Sequence, residues 1–348
     1  MSVCLVPFVN TGTEWYFALP GLAFPLLLLV SLLFVILWIL LKSKWLWISV
    51  IVILLGLQQI LAVFSFHLPK QFDLARKENT LRILHWNVES WGADLDRING
   101  GRKSFKPDMM DLIKHQNADV LCFQEYSDLK KSEDSLSNVS EIKKLGFPYY
   151  LVVPTDTSSR RITKGVAIFS KYPIFNSGIF SYGKHTKAEH LIFVDINNGK
   201  DTFRIFTTHL QSVRFETKDY ESLNNLKRIR DPGYHDSRDV VSKLRKGYIF
   251  RYEQAQMVKQ KIGESPCPVI ITGDFNDVPN SNTYFTIRGN LQDAFLKKGY
   301  WIGGTYRYIS PTLRIDFILA DKKFKVNQFR VIHVPYSDHY PIETDLSY

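Results

Sequence analysis

The stretch Thr272-Gly273-Asp274-Phe275-Asn276-Asp277 decides how the rest of the chain is interpreted. It follows Pro268-Val269-Ile270-Ile271, a short β-branched run typical of a strand that is covered on both faces. A carboxylate at the end of such a strand is costly to bury without a partner. We therefore interpret the stretch as the edge of a site for a hard cation or a phosphate-bound water. An ordinary turn is the alternative, because Gly-Asp and Asn-Asp are common turn formers.

The amino-terminal part, residues 1–69, has the composition of a membrane hairpin. Two uncharged runs, Trp15 to Leu41 and Trp45 to Phe66, flank Lys42-Ser43-Lys44. Each run exceeds the roughly 20 residues that a helix needs to cross a bilayer. We predict membrane helices at about 16–41 and 45–66; a signal peptide or a buried core helix is the alternative.

The basic residues also predict how this hairpin is oriented. Lys42 and Lys44 lie in the tight turn, whereas the amino-terminal flank has no Lys or Arg, so the turn is expected in the cytoplasm. The sequence therefore predicts an integral membrane protein whose following domain lies on the outer, extracytoplasmic (periplasmic) side. Lys70, Arg76 and Lys77 follow the second helix and favour the opposite orientation.

Beyond a short polar linker, residues 70–80, the chain from 81 to 348 reads as one basic globular domain. Of 44 basic and 34 acidic residues, only Lys42, Lys44 and Glu14 precede residue 70, so the remainder carries an excess of nine positive charges. Such an excess favours encounter with anionic partners. The three cysteines show neither a zinc pattern nor a disulfide framework.

Apolar strand candidates alternate with helical segments, which predicts a layered α/β (α+β) architecture in which helices cover the sheets. Several of these strands end in polar side chains. They are Asn87, Glu125, His209, Asp274 with Asn276, Asp316, and Asp338 with His339. Polar groups at strand ends collect at one edge of a sheet, where they form a site.

Each polar group has a chemical role that fits phosphoester hydrolysis. Glu125 suits one Mg²⁺ or Mn²⁺, which takes one or two carboxylates and keeps waters, and Asn87 and Glu89 complete or orient its ligands. Asp274 is placed to deprotonate an attacking water, and Asn276 to donate an amide hydrogen bond to a phosphate oxygen.

Two imidazoles complete this set. Asp316 and His339 form a carboxylate–imidazole pair, and His209 is a second imidazole able to protonate a leaving oxygen or neutralise phosphoryl charge. The plain alternatives are a structural His209 and an Asp316 that is a surface charge. The remaining histidines considered are interpreted as structural: His85, His115, His190 and His333.

Seven short motifs together resemble the endonuclease/exonuclease/phosphatase superfamily over residues 81–346. They are Trp86-Asn87, Gln124-Glu125, Gly165–Ser170, Thr208-His209-Leu210, Gly273–Asn276, Arg314–Phe317 and Ser337–Pro341. The resemblance implies a four-layer sandwich with two central mixed β-sheets flanked by helices, and a divalent-metal phosphoesterase site at their shared rim.

The resemblance also implies a role for each matching residue. Asn87 and Glu125 resemble the family's metal ligands, and Asp338 is a further metal or supporting carboxylate. The water- and phosphate-positioning pair corresponds to Asp274 and Asn276, and the catalytic dyad to Asp316 and His339.

One departure concerns the branch of this superfamily. Abasic-site endonucleases have Tyr at the position of His209, whereas the deoxyribonuclease-like and sphingomyelinase-like branches have His there. The resemblance therefore does not favour abasic DNA repair. Glu89 stands where some branches have Asp, and it is a further candidate for substrate contact.

The resulting hypothesis is a membrane-anchored, Mg²⁺-dependent (or Mn²⁺-dependent) phosphodiesterase acting on lipid head groups or nucleic acid. Its expected partners are the lipid bilayer and an anionic phosphodiester, and no protein partner is predicted. The alternatives are a membrane-tethered endonuclease or exonuclease and a non-catalytic binding module on a membrane anchor.

Residues 213–247 are rich in charge and follow the strand that delivers His209. We predict a loop beside the site, because loops at a rigid site commonly set substrate choice. Arg214 is the expected contact to a substrate phosphate.

Overall fold

The computed structural model describes residues 2–75, 78–98, 104–129, 137–156, 162–183, 186, 188–213, 234–308, 310 and 312–348. The helices are α1 Ser2–Leu5, α2 Leu19–Leu22, α3 Phe24–Leu40, α4 Leu46–Leu55, α5 Leu57–Val63, α6 Glu89–Ile98, α7 Lys106–Gln116, α8 Asn138–Lys144, α9 Tyr234–Gly263, α10 Asn282–Arg288 and α11 Ala294–Lys298. The strands are β1 Ser65–Phe66, β2 Thr80–Asn87, β3 Val120–Leu129, β4 Tyr149–Asp156, β5 Ile162–Ser170, β6 Ile174–Phe180, β7 Leu191–Asn197, β8 Thr202–His209, β9 Val269–Asp274, β10 Gln292–Asp293, β11 Tyr300–Trp301, β12 Asp316–Ala320, β13 Lys325–Val331 and β14 Ile342–Ser347.

Two six-stranded sheets form the centre of the molecule. Their strand orders are β13-β14-β2-β3-β5-β4 and β10-β12-β9-β8-β7-β6. Each sheet has one parallel pair, β2 with β3 and β8 with β9, among antiparallel neighbours. The predicted α/β fold with two mixed sheets is therefore confirmed.

Apolar side chains from both sheets meet between them and form the main core. Ile83 and Ile168 from the first sheet pack with Ile205 and Ile270 from the second. The outer face of each sheet is buried against helices: Ile113 of α7 lies in one cluster and Val258 of α9 in another. The layers are thus helix, sheet, sheet and helix, which is how both faces of each sheet leave water.

The amino-terminal helices are bent. No single helix in the described part is long and apolar enough to cross a membrane, but two bent pairs have the combined length and composition. Trp15–Leu22 meets Phe24–Leu40 at 61°, and Leu46–Leu55 meets Leu57–Val63 at 57°. The helices predicted at 16–41 and 45–66 are therefore interrupted, the first beside Pro25, whose ring disfavours helical backbone before it, and the second at Gly56.

The amino-terminal segment is bound to the globular part through buried polar contacts. The Asn282 side chain donates to the carbonyl oxygens of Pro7 and Val9 at 3.2 and 3.0 Å, and Asn280 donates to Gly21 at 3.1 Å. Arg314 donates to Ala62 at 3.0 Å. These hydrogen bonds hold the amino-terminal segment against the globular part of the chain.

Two secondary-structure expectations differ from the structure. The sequence does not predict strand β6, because Phe175-Asn176-Ser177-Gly178 in its middle shows no alternation of apolar and polar residues. Residues 234–247 of the predicted 213–247 loop belong to the 30-residue helix α9. Because charged residues dominate the composition of this segment, the sequence does not indicate the buried positions of the helix, which include Val240 and Tyr248. Residues 214–233 lie outside the described residues.

Arg314 supplies a test of what holds the amino-terminal segment in place. Its guanidinium lies 2.8 Å from Asp293, and both side chains are buried. Arg314→Met should destabilise the protein by about 3–5 kcal/mol, because it leaves a buried carboxylate unpaired. Glu264→Gln removes the charge of an exposed carboxylate that pairs with Lys261, and it should have a much smaller effect. Unfolding of the full chain in detergent measures the loss of stability in both variants. Equally small losses would contradict the structural role assigned to the buried Arg314–Asp293 pair.

Candidate active site

Most of the predicted polar residues lie at one rim, although Glu125 lies at a bulge inside β3 and Asp316 begins β12 rather than ending a strand. In the parallel pair β8–β9, His209 lies opposite Asp274, and in the antiparallel pair β9–β12, Asp274 lies opposite Asp316. In the other sheet, Asn87 at the end of β2 lies beside Gln124, next to Glu125. Strand register therefore brings residues that are distant in sequence to a single site.

Asp274 is the centre of this site, and both of its carboxylate oxygens have partners. Oδ2 accepts a hydrogen bond from Asn87 Nδ2 at 3.0 Å and lies 3.5 Å from His209 Nε2 and 3.6 Å from His339 Nε2. Oδ1 accepts from the Asn276 backbone N–H at 2.8 Å. Burial raises the pKa of Asp274, and although His339 and His209 oppose the shift, its pKa stays above the ordinary value.

Asp316 lies behind His339 and contacts two imidazoles. His339 Nδ1 lies 2.8 Å from Asp316 Oδ2, and His85 Nε2 lies 3.0 Å from Asp316 Oδ1. Burial would raise the pKa of Asp316, but the two imidazoles outweigh burial and lower it. Burial would likewise lower the pKa of His339, but Asp316, Asp274 and Asp338 raise it well above 6.5. His339 is therefore the positively charged member of the pair.

His85 is thus a site residue that the sequence interpretation assigned to a structural role. It lies inside the buried strand β2, and its Nδ1 is buried without a hydrogen-bond partner. The tautomer with its proton on Nε2 fits this environment, because it donates to Asp316 and leaves Nδ1 as a bare acceptor.

His209 is positioned by a carboxylate that the sequence analysis did not select. Its Nδ1 lies 3.2 Å from Glu189 Oε2, and the same oxygen accepts the Glu125 backbone N–H at 3.0 Å. Burial would lower the pKa of His209, but Glu189, Asp274 and Glu125 together raise it to about 9. Glu189 precedes β7 rather than ending a strand; because β7 is antiparallel to β8, its start reaches the same rim.

Oxygen ligands for a cation are grouped beside Asp274. Asn87 Nδ2 lies 3.5 Å from Glu125 Oε1, and Glu89 Oε2 accepts the Asp338 backbone N–H at 3.2 Å. Burial raises the pKa of Asp338 to about 6, and Glu125 and Asp274 add to the shift although His339 opposes it. This concentration of carboxylates fits a hard divalent cation, which would relieve their mutual repulsion.

A second group, Asp274, Asp316 and His339, has one potential ligand atom from each residue within 4.8 Å of the others. Both oxygens of Asp316 and Nδ1 of His339 already take part in hydrogen bonds, however. We therefore interpret this group as a hydrogen-bonded relay.

Several site residues have left-handed backbone conformations, which are costly for residues other than Gly. The φ angles are 48° at Glu125, 51° at Asn276 and 45° at Glu89. Ser90 and Trp91 continue this left-handed turn at the start of α6. Neighbouring contacts hold each of these backbones in its left-handed conformation. This is expected where the backbone geometry serves a site rather than stability.

Asn276 also uses its side chain to hold the rim. Nδ2 donates to the Leu210 carbonyl oxygen at 3.1 Å, which leaves its second N–H for the predicted phosphate contact.

Among the other histidines considered, His115 is exposed and pairs with Asp111, and His333 lies against the Tyr340 ring. Arg214 lies outside the described residues.

Comparison with known proteins agrees with this geometry. Residues 84–339 match the model of the Endonuclease/Exonuclease/phosphatase family, and residues 1–63 match a domain of unknown function (DUF8431). The chain therefore belongs to the endonuclease/exonuclease/phosphatase family. A search of curated proteins finds no significant match.

Solved structures of the same fold include an endonuclease/exonuclease/phosphatase from Beutenbergia cavernae. It is 18% identical, with a TM-score of 0.55, over 78% of this chain and 72% of that chain. The human Nocturnin catalytic domain with a bound sulfate anion is 19% identical, with a TM-score of 0.52, over 78% and 94%. A Bacteroides thetaiotaomicron mannosyl-6-phosphatase is 19% identical, with a TM-score of 0.50, over 77% and 100%. At these identities the likeness establishes the fold.

Asp274 provides the direct test of the site. Asp274→Asn keeps the shape but removes the carboxylate between the two imidazoles, so kcat on an aryl phosphodiester should fall at least about 10²-fold. Asp201→Asn, just before the opposite end of β8, is the matched control and should retain activity. Circular dichroism checks folding; a folded Asp274→Asn protein with unchanged kcat would refute the assignment.

Proposed function

We propose that this protein is a membrane-anchored, divalent-metal-dependent phosphoesterase that hydrolyses a phosphodiester of a lipid head group or nucleic acid. The supporting observation is the buried Asp274 carboxylate within 3.6 Å of Nε2 of both His209 and His339. One proton acceptor beside two cationic imidazoles suits attack of water on an anionic phosphorus centre.

The residues divide the work as follows. Asp274 accepts the proton of the attacking water, and its raised pKa suits that role. Asp316 holds Nδ1 of His339, so the charged imidazole directs Nε2 toward the reacting group and stabilises negative charge on the phosphoryl oxygens. His209, held by Glu189, neutralises charge from the other side or protonates the leaving oxygen.

Asn87, Glu125 and Asp338 would hold Mg²⁺ or Mn²⁺, and Asn276 would donate to a phosphate oxygen. When bound, the cation supplies Lewis-acid stabilisation of phosphoryl charge. The Nocturnin structure with bound sulfate and the mannosyl-6-phosphatase support an anionic, phosphate-like group as the ligand of this fold. His209 supports a place in the deoxyribonuclease-like or sphingomyelinase-like branch.

The proposed anchor is the hairpin made by the two bent helix pairs, residues 15–40 and 46–63. Its helices expose large apolar side chains along most of their length, which include Leu33 and Leu37 in α3 and Ile51 and Leu54 in α4. A bilayer is the environment that would cover them. With Lys42 and Lys44 in the cytoplasm, the catalytic domain would lie on the extracytoplasmic side.

Metal removal tests the proposed chemistry. EDTA should abolish hydrolysis by the full chain, and added Mg²⁺ or Mn²⁺ should restore it. Glu125→Gln should need a higher metal concentration for half-maximal activity, because a neutral amide binds a hard cation less well. Glu141→Gln, which alters a half-exposed pair with Lys106, should leave the metal requirement unchanged.

A panel of plasmid DNA, RNA, sphingomyelin, phosphoinositides and an aryl phosphodiester separates the lipid and nucleic-acid substrates. EDTA-resistant turnover would refute metal dependence. Absence of turnover on every substrate, with metal bound, would favour the non-catalytic module.

Arg307 supplies a test of substrate binding that the sequence analysis did not anticipate. Its guanidinium donates to the Ser337 carbonyl oxygen at 2.7 Å, and its backbone N–H donates to the Asp338 backbone carbonyl oxygen at 2.9 Å, so it lies at the rim beside His339. Arg307→Ala should raise KM for an anionic substrate and flatten its salt dependence. The exposed Lys323→Ala is the control. Equal KM and salt response in both variants would exclude a substrate contact.

A further inference from the structure

A small two-stranded ribbon joins the amino-terminal segment to the catalytic domain. In it, β1 pairs antiparallel with β11, with Ser65 opposite Trp301 and Phe66 opposite Tyr300. Four large side chains on and beside it face solvent. They are Phe66, Leu68, Tyr300 and Trp301, exposed by 68%, 80%, 55% and 56%. We refer to these four residues as the aromatic ribbon.

The ribbon is fixed to the domain, so its exposure is not that of a loose chain end. Ser65 Oγ donates to the Gly299 carbonyl oxygen at 2.8 Å, and the Phe64 ring packs edge-on against Trp301 at 5.2 Å. Trp301 has a φ of 61°, a left-handed conformation that is unfavourable for a bulky residue. The ribbon therefore has a defined position on the domain, and the Trp301 backbone is held there in a strained conformation.

The surroundings of the ribbon indicate what covers it. It begins two residues after α5, and large apolar side chains are exposed both on that helix, at Leu57 and Leu61, and just after it, at Phe66 and Leu68. Exposed Lys297 and Lys298 precede the second strand, and exposed Lys70 follows the first. Aromatic rings flanked by lysines next to an apolar helix are typical of the membrane–water interface.

We propose that the aromatic ribbon lies in the head-group region of the bilayer that holds the hairpin. The neighbouring Lys70, Lys297 and Lys298 would then lie against anionic lipid phosphates. This inference rests on the proposed membrane anchor and goes beyond it: the catalytic domain itself contacts the bilayer through residues some 230 positions after the anchor. The domain is thereby held against the surface by one defined side. A protein partner is disfavoured because the ribbon directly follows the apolar helix α5.

Spin labels at three positions test this in the full chain, reconstituted in nanodiscs that contain anionic lipid. Tyr300→Cys probes the ribbon, Ile51→Cys the hairpin, and Phe175→Cys the opposite edge of the same domain. Phe175, in β6, is 59% exposed and serves as the matched control. Cys4 and Cys267 are replaced by Ser, and the buried Cys122 is kept.

The label at 300 should be several-fold less accessible to an aqueous nickel complex than the label at 175, and less accessible to oxygen than the label at 51. Replacing anionic lipid by neutral lipid, or introducing Lys297→Gln with Lys298→Gln, should make the label at 300 more accessible to nickel. Phe66→Cys gives the same readout from the paired strand if Tyr300→Cys does not fold.

Equal nickel access at 300 and 175, with 51 still shielded, would overturn the ribbon proposal and leave the anchor intact. Equal access at all three positions would overturn the anchor and the ribbon together. Shielding at 300 that is unchanged both by neutral lipid and by the two lysine substitutions would overturn the proposed contact with anionic lipid phosphates.

Discussion

The site depends on keeping one carboxylate, Asp274, buried at the end of a central strand. Removing that charge from water is costly unless neighbouring groups compensate it. Asn87 comes from the other sheet, His209 from the adjacent parallel strand, and His339 from the last loop. Of these contacts, the one from Asn87 joins the two sheets at their rim, so the fold itself brings the compensating groups together.

Asp316 extends this set of contacts deeper into the molecule. Because it accepts from both His85 and His339, it links the first sheet to the second through a charged hydrogen-bonded chain. The low local dielectric strengthens such contacts when every partner is present and penalises the loss of any one. The imidazole orientation at the surface of the site is thus fixed by residues with no access to solvent.

The sequence predicts those parts of the structure that carry a local signal. Asn87, Glu125, His209 and Asp274 each lie at a polar break in an apolar run, and strand register brings them together. Burial accounts for Asp316 as well: it is not a surface charge, and its contacts with two imidazoles explain its place.

The residues that escaped prediction lack such a signal. His85 lies within a fully buried strand, where period-two alternation is absent, and its partner is 231 residues away. Glu189 begins an antiparallel strand, and Arg307 lies in a loop whose path is set by tertiary contacts. The bend in the second apolar helix pair occurs at Gly56, a single residue that leaves the length and hydropathy of the run unchanged.

The left-handed backbones at Glu89, Glu125 and Asn276 have an evolutionary consequence. At each position a glycine would relax the main chain but remove the side chain from the rim. Stability and the proposed site therefore make opposite demands on these three positions, and substitutions selected for stability alone would be expected to remove rim side chains first.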